Sequence, residues 1–115
     1  VSDEAGTMKA LPQFSPRPRE AVWEYAAQML TDTHRFDQTH LRDLIAYPDG
    51  HYRALFDPGY FLLAEGETQP SKSQWNSLKK KFKRHNPKVF MFKEHGETEH
   101  QGARLFYVDF GFFAR

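Results

Sequence analysis

The chain contains no cysteine. Disulfides, zinc–thiolate sites and thiol nucleophiles are excluded, and a reducing compartment, cytoplasmic or nuclear, is the expectation. No apolar run exceeds about five residues, against the roughly 20 that a membrane-spanning helix needs. Val1 to Ala10 are small, polar and acidic, without the basic and apolar regions of a signal peptide. An initiating Met is also missing, which reads as processing or excision from something longer. Neither a G-x-S-x-G elbow nor a glycine-rich phosphate loop occurs. With 115 residues the chain is one domain's worth, too short for a multi-domain enzyme, a kinase or a barrel of eight βα units.

What the chain does have is aromatic mass and polarised charge. Aromatics make up 16% of residues and eleven of them are Phe, so a core can be built from few aliphatics. The net charge is only +1. Yet Lys72, Lys79, Lys80, Lys81, Lys83, Arg84, Lys88 and Lys93 share a window that holds no Asp or Glu. Outside it, eight basic residues face fifteen acidic ones. Such two-sided charge points to a polyanionic partner. The bland alternative is a solvated, lysine-rich helix face.

Residues 1–15 read as a flexible N-terminal tail, with Pro12, Pro16 and Pro18 delaying regular structure, and 16–115 as one domain. A first helix from Pro18 carries the stripe Val22, Tyr25, Ala26, Met29 and Leu30. A second has Asp37 as N-cap, a Phe36–Leu41 staple, and Leu41, Leu44 and Ile45 as its buried face. Tyr47-Pro48-Asp49-Gly50 stops it. An Asp57-Pro58-Gly59 turn then joins Tyr52–Phe56 to Tyr60–Ala64 as an extra hairpin, in preference to a short helix and a strand. In the third helix Ser71 and Gln74 form a capping box, and Trp75, Leu78 and Phe82 form the apolar stripe. Asn86-Pro87 ends it. A C-terminal hairpin pairs Lys88–Glu94 with Arg104–Phe113 around a polar loop, His95–Ala103.

This order of elements, with the basic run S-K-S-Q-W-N-S-L-K-K-K-F-K-R from Ser71 to Arg84, resembles the winged-helix class of helix-turn-helix DNA-binding domains over residues 18–113. The resemblance implies an α+β fold, three helices plus a C-terminal β-hairpin. It also implies double-stranded DNA read by the helix at 71–85, as in a transcriptional regulator or a DNA-associated accessory protein. About 25 residues between helices two and three depart from the usual short turn. The chemistry of the basic helix points the same way. A helix fits the major groove, and cations neutralise phosphates. Ser73, Asn76, Ser77, Lys80 and Arg84 are the candidate groove contacts. Lys72, Lys83 and Lys88 are candidate phosphate contacts, and Lys81 belongs to the same basic face. No catalysis, cofactor or metal is expected.

Two other readings compete. One is a protein-interaction or inhibitor module that docks an acidic partner. The other is a small metal-dependent nuclease built on Asp32, His34, Asp37 and His40. His95 and His100, with Glu94, Glu97 and Glu99, read better as a polar tip than as a metal site. Their acids would repel phosphate, so the tip is expected to point away from DNA. Asp109-Phe110-Gly111 matches a kinase magnesium motif by coincidence, and Gly111 is expected to mark a bulge or a close packing contact. The strand at 105–113 is apolar on both faces, so it must be covered twice. Aromatic strands of this kind also stack unpaired bases. Its free edge needs a partner, either the hairpin of Tyr52–Phe56 and Tyr60–Ala64 or a second copy of the chain, with a two-fold homodimer preferred.

Overall fold

The stripe after Pro18 does form a helix, α1, at Arg19–Met29. Its Val22, Ala26 and Met29, and Leu30 beyond it, are buried. The structure is a computed structural model and describes residues 14–32 and 38–114. Two short strands, β1 (Thr31–Asp32) and β2 (Gln38–Thr39), pair as a separate ribbon. β3 (Leu41–Ala46) and β4 (Tyr52–Phe56) make a hairpin, followed by a 3-10 turn at Pro58–Tyr60. Helix α2 covers Lys72–His85, and β5 (Val89–His100) and β6 (Ala103–Phe112) make a second hairpin. The two hairpins join edge to edge as a four-stranded antiparallel sheet, in the order β3-β4-β6-β5. Among the described residues no helix is long and apolar enough to cross a membrane.

This architecture overturns the expected three helices plus a C-terminal hairpin, and the winged-helix-like arrangement with it. The second helix is in fact β3. Leu41 and Leu44 suggested a helix by their i, i+3 spacing. In the sheet they share a face because the register slips between Leu41 and Asp43, where an extra residue interrupts the alternation. A bulge thus imitates helical periodicity. Tyr47-Pro48-Asp49-Gly50 turns a hairpin instead of ending a helix. Gly50 N–H donates to Tyr47 O at 3.0 Å, and Gly50 has φ +97°. The proposed N-cap Asp37 and staple residue Phe36 lie outside the described residues.

Nor does Tyr60–Ala64 pair with β4, whose partners are β3 and β6. Asp57 accepts a hydrogen bond from Gly59 N–H, and Pro58 opens the 3-10 turn that sends Phe61 into the core. The C-terminal hairpin is longer than expected. Its strands run to a two-residue turn, Gln101-Gly102, with φ of 52° and 80°. The polar stretch at 97–100 suggested a loop because it pairs with 103–106, and β4 reaches only Phe106. There β5 alternates exposed Glu97 and Glu99 with half-buried Thr98 and His100, all polar, although Leu105 and Phe106 opposite them are buried.

Tyr52, Ala54 and Phe56 of β4 join Phe106, Val108, Phe110 and Phe112 of β6 in one core with α1 and α2. Strand alternation turns the residues between them to the opposite face. On that face Phe14 lies over Gly111, where an added Cβ would sit 2.5 Å from Phe14 Cδ1. Gly111 therefore marks a close packing contact. Phe14 also bridges Phe113, and Ser15 N–H donates to Phe112 O at 2.7 Å. β6 is thus covered on both faces and paired along both edges by its own chain. β4 supplies the partner for which a second copy was invoked, so the free-edge argument for a homodimer falls away.

Candidate nucleic-acid interface

Helix α2 is fixed at both ends by its own sequence. Gln74 N–H donates to Ser71 Oγ at 3.2 Å, and Ser71 N–H donates to Gln74 Oε1 at 2.8 Å, completing the expected capping box. Asn86 N–H bonds Phe82 O at the other end. Trp75, Leu78 and Phe82 are buried against the sheet. Tyr25 of α1 donates its hydroxyl to Phe82 O at 2.5 Å, tying the helices together. Burial pushes that phenol well above the ordinary tyrosine range.

With this stripe buried, the opposite face is presented. Lys72, Ser73, Asn76, Ser77, Lys80, Lys83, Arg84 and Lys88 are all exposed. Lys81 is half-buried, with its ammonium 5.8 Å from the Tyr60 ring centroid. The face is a ridge between two grooves. Ser73, Ser77 and Lys81 line one with Tyr60, Phe61 and Leu62, about 430 Å³ in volume. Asn76, Lys80 and Lys83 line the other with Lys79, Met91, Phe92 and Lys93, about 260 Å³. Lys72, Arg84 and Lys88 line neither.

The second groove owes its far wall to a bulge in β5. Between the pairs Met91–Phe110 and His95–Val108, three residues of β5 stand opposite one of β6. Lys79 holds them, donating to Phe92 O at 2.7 Å and Lys93 O at 3.0 Å. Burial lowers the Lys79 ammonium below the ordinary lysine value, although the charges of Glu94 and Asp109 oppose this. Sequence reasoning missed Lys79, Phe92 and Lys93 as parts of the site. Their only advance signal was that the basic window extends to Lys93.

His95 sits under this wall, stacked on Trp75 at 4.5 Å between ring centroids. Burial and the Lys79 charge hold its imidazole below the ordinary histidine value, against a hydrogen bond to the Lys93 backbone. The unfolded chain therefore takes up this proton first, and stability is expected to fall as pH drops below about 6.5. His95→Phe keeps the stack and should flatten that dependence. Urea midpoints at pH 7.5 and 5.5 read it, and equal shifts in both proteins would count against the assignment.

Two groups of the acidic tip have fixed partners. Glu97 pairs with Arg104 and accepts from Gln69 at 2.7 Å, while His100 donates to Asp43 at 2.6 Å. His95 and His100 are thus committed to different partners. His34 and Asp37 of the other acid–histidine cluster lie outside the described residues. Among the described residues no group of three or more His, Asp or Glu is placed to hold a metal ion. Comparison of the chain with protein-family models, curated proteins and solved structures gives no match.

Proposed function

We propose that the protein is a non-catalytic nucleic-acid-binding domain that holds double-stranded DNA through the exposed face of α2. One observation carries the reading. Six of the eight basic residues at 72–93, namely Lys72, Lys80, Lys83, Arg84, Lys88 and Lys93, are exposed on α2, the turn after it and β5, with no acid on the helix. Cations so placed neutralise phosphates and release counterions. Ser73, Asn76 and Ser77 add neutral donors and acceptors for base edges.

The test is a titration of a 20–30 bp duplex over a range of salt. Neutralising about five to seven phosphates gives a log–log slope of roughly −4 to −6. Lys83→Ala and Lys88→Ala should weaken all sequences equally and each reduce the slope by about one. Arg84→Ala should cost about 1–3 kcal/mol on a preferred site. No binding at low salt overturns the proposal. A second reading, docking of an acidic protein, draws support from Leu62, which is 57% exposed beside the groove floored by Tyr60 and Phe61. Salt-dependent duplex binding that survives Leu62→Ser would set that reading aside.

A further inference from the structure

We infer that the groove between α2 and the β5 bulge seats a terminal phosphate, so that the preferred ligand is a DNA end bearing one. The inference rests on the nucleic-acid reading above and narrows the ligand from any duplex to one with a phosphorylated end. The exposed ridge of α2 can lie along a duplex, but the groove beside it is a slot of about 260 Å³. A backbone phosphate carries a sugar on both sides and would have to bring them in with it. A terminal phosphate is tethered on one side only and can enter alone.

The lining is cationic and uncompensated. Lys79, Lys80 and Lys83 come from α2 and Lys93 from β5, so ammonium groups converge on the slot from two elements. Among the described residues none of Lys80, Lys83 and Lys93 makes an ion pair, whereas Arg19, Arg42, Arg53 and Arg104 each have a carboxylate partner. Glu94, next to Lys93 in sequence, is exposed and takes no part in the lining. Cations held this close repel one another, and the charge of Lys83 adds to burial in lowering the Lys79 ammonium. A phosphate monoester carries about −1.5 to −2 at pH 7, against a single charge on each backbone phosphate, and relieves more of that repulsion.

The groove is also built from donors. Its far wall contains the carbonyls of Phe92 and Lys93, which would repel an anion if left bare. Lys79 donates to both, at 2.7 and 3.0 Å, and this leaves one of the three N–H groups of its ammonium. Asn76 adds the N–H donors of its amide. Nothing in the slot can stack a base. Phe92 contributes only backbone, since its ring lies on the other face of the sheet against Phe14, Phe90 and His51, and Met91 is only 7% exposed. A phosphate, which only accepts at this charge, matches such a lining better than any other part of a nucleotide.

The experiment compares one blunt duplex of about 20 bp with hydroxyl ends, with 5′-phosphates and with 3′-phosphates, in a single low-salt buffer. One phosphorylated form should bind on the order of tenfold tighter than the hydroxyl form, the scale of one charge-assisted hydrogen bond. In Lys93→Gln and in Lys83→Gln, both surface changes, that ratio should fall to near one. Lys72→Gln, outside the groove, should weaken both forms alike and keep the ratio. Thermal melts confirm that the three variants are folded. Phosphorylated and hydroxyl ends binding within twofold of each other would overturn the inference and leave the proposed function standing. A tenfold ratio that persists in both Lys93→Gln and Lys83→Gln would overturn it equally, since the added charge would then be felt elsewhere. Failure of every duplex to bind would overturn the underlying reading and the inference with it.

Discussion

Replacing Trp75 with alanine is expected to lower stability by about 3–5 kcal/mol, a large share of the roughly 5–15 kcal/mol that a domain holds. Trp75 is only 5% exposed and stands where four parts of the chain meet. Its ring contacts Phe61 after the 3-10 turn at 4.9 Å, Phe106 of β6 at 5.6 Å, Phe56 of β4 at 6.1 Å and His95 of β5 at 4.5 Å. Truncation removes all four contacts and leaves a cavity that rigid strands on one side cannot close. Urea denaturation followed by the fluorescence of Trp23, the other tryptophan, measures the loss. A cost below 1 kcal/mol would show that α2 is anchored elsewhere. DNA binding should fall with stability in this variant. In Lys83→Ala, by contrast, binding should fall while stability stays within about 0.5 kcal/mol, as for most surface changes.

The parts legible in the sequence are those that local chemistry determines. The capping box at Ser71 and Gln74, the stripe of Trp75, Leu78 and Phe82, and the exposed polar face opposite them all follow from helical geometry within one segment. The parts misread depend on partners distant in sequence. β3 suggested a helix because its bulge places Leu41 and Leu44 on one side of the sheet. Only pairing with β4 distinguishes that from a helical stripe. The distal half of β5 suggested a loop because a strand beyond the edge of β4 has no apolar face to declare it. The groove beside α2 was illegible for the same reason. It is made by a register slip in β5 and by a lysine that reaches across from the helix. In the sequence Lys79 is one more charge in a basic run, whereas in the fold its ammonium serves the backbone of another element.

The largest electrostatic effect should come from the sheet face away from the helices. Arg53→Ala is expected to cost about 3 kcal/mol, near the lower end for breaking a buried ion pair because Arg53 itself is 27% exposed. Arg53 and Asp109 are cross-strand partners of β4 and β6. Arg53 donates from Nε at 2.7 Å and from an Nη at 3.0 Å, a two-pronged match to the carboxylate. Its guanidinium also lies 4.1 Å from the Tyr107 ring centroid. Asp109 is only 3% exposed, so without Arg53 its carboxylate stays buried and unpaired. Urea unfolding at neutral pH reads the loss, and a cost below about 1 kcal/mol, the scale of an exposed pair, would overturn it. Arg53→Met combined with Asp109→Leu removes both charges and should recover most of the loss, because an apolar pair of similar volume carries no desolvation penalty on this covered face.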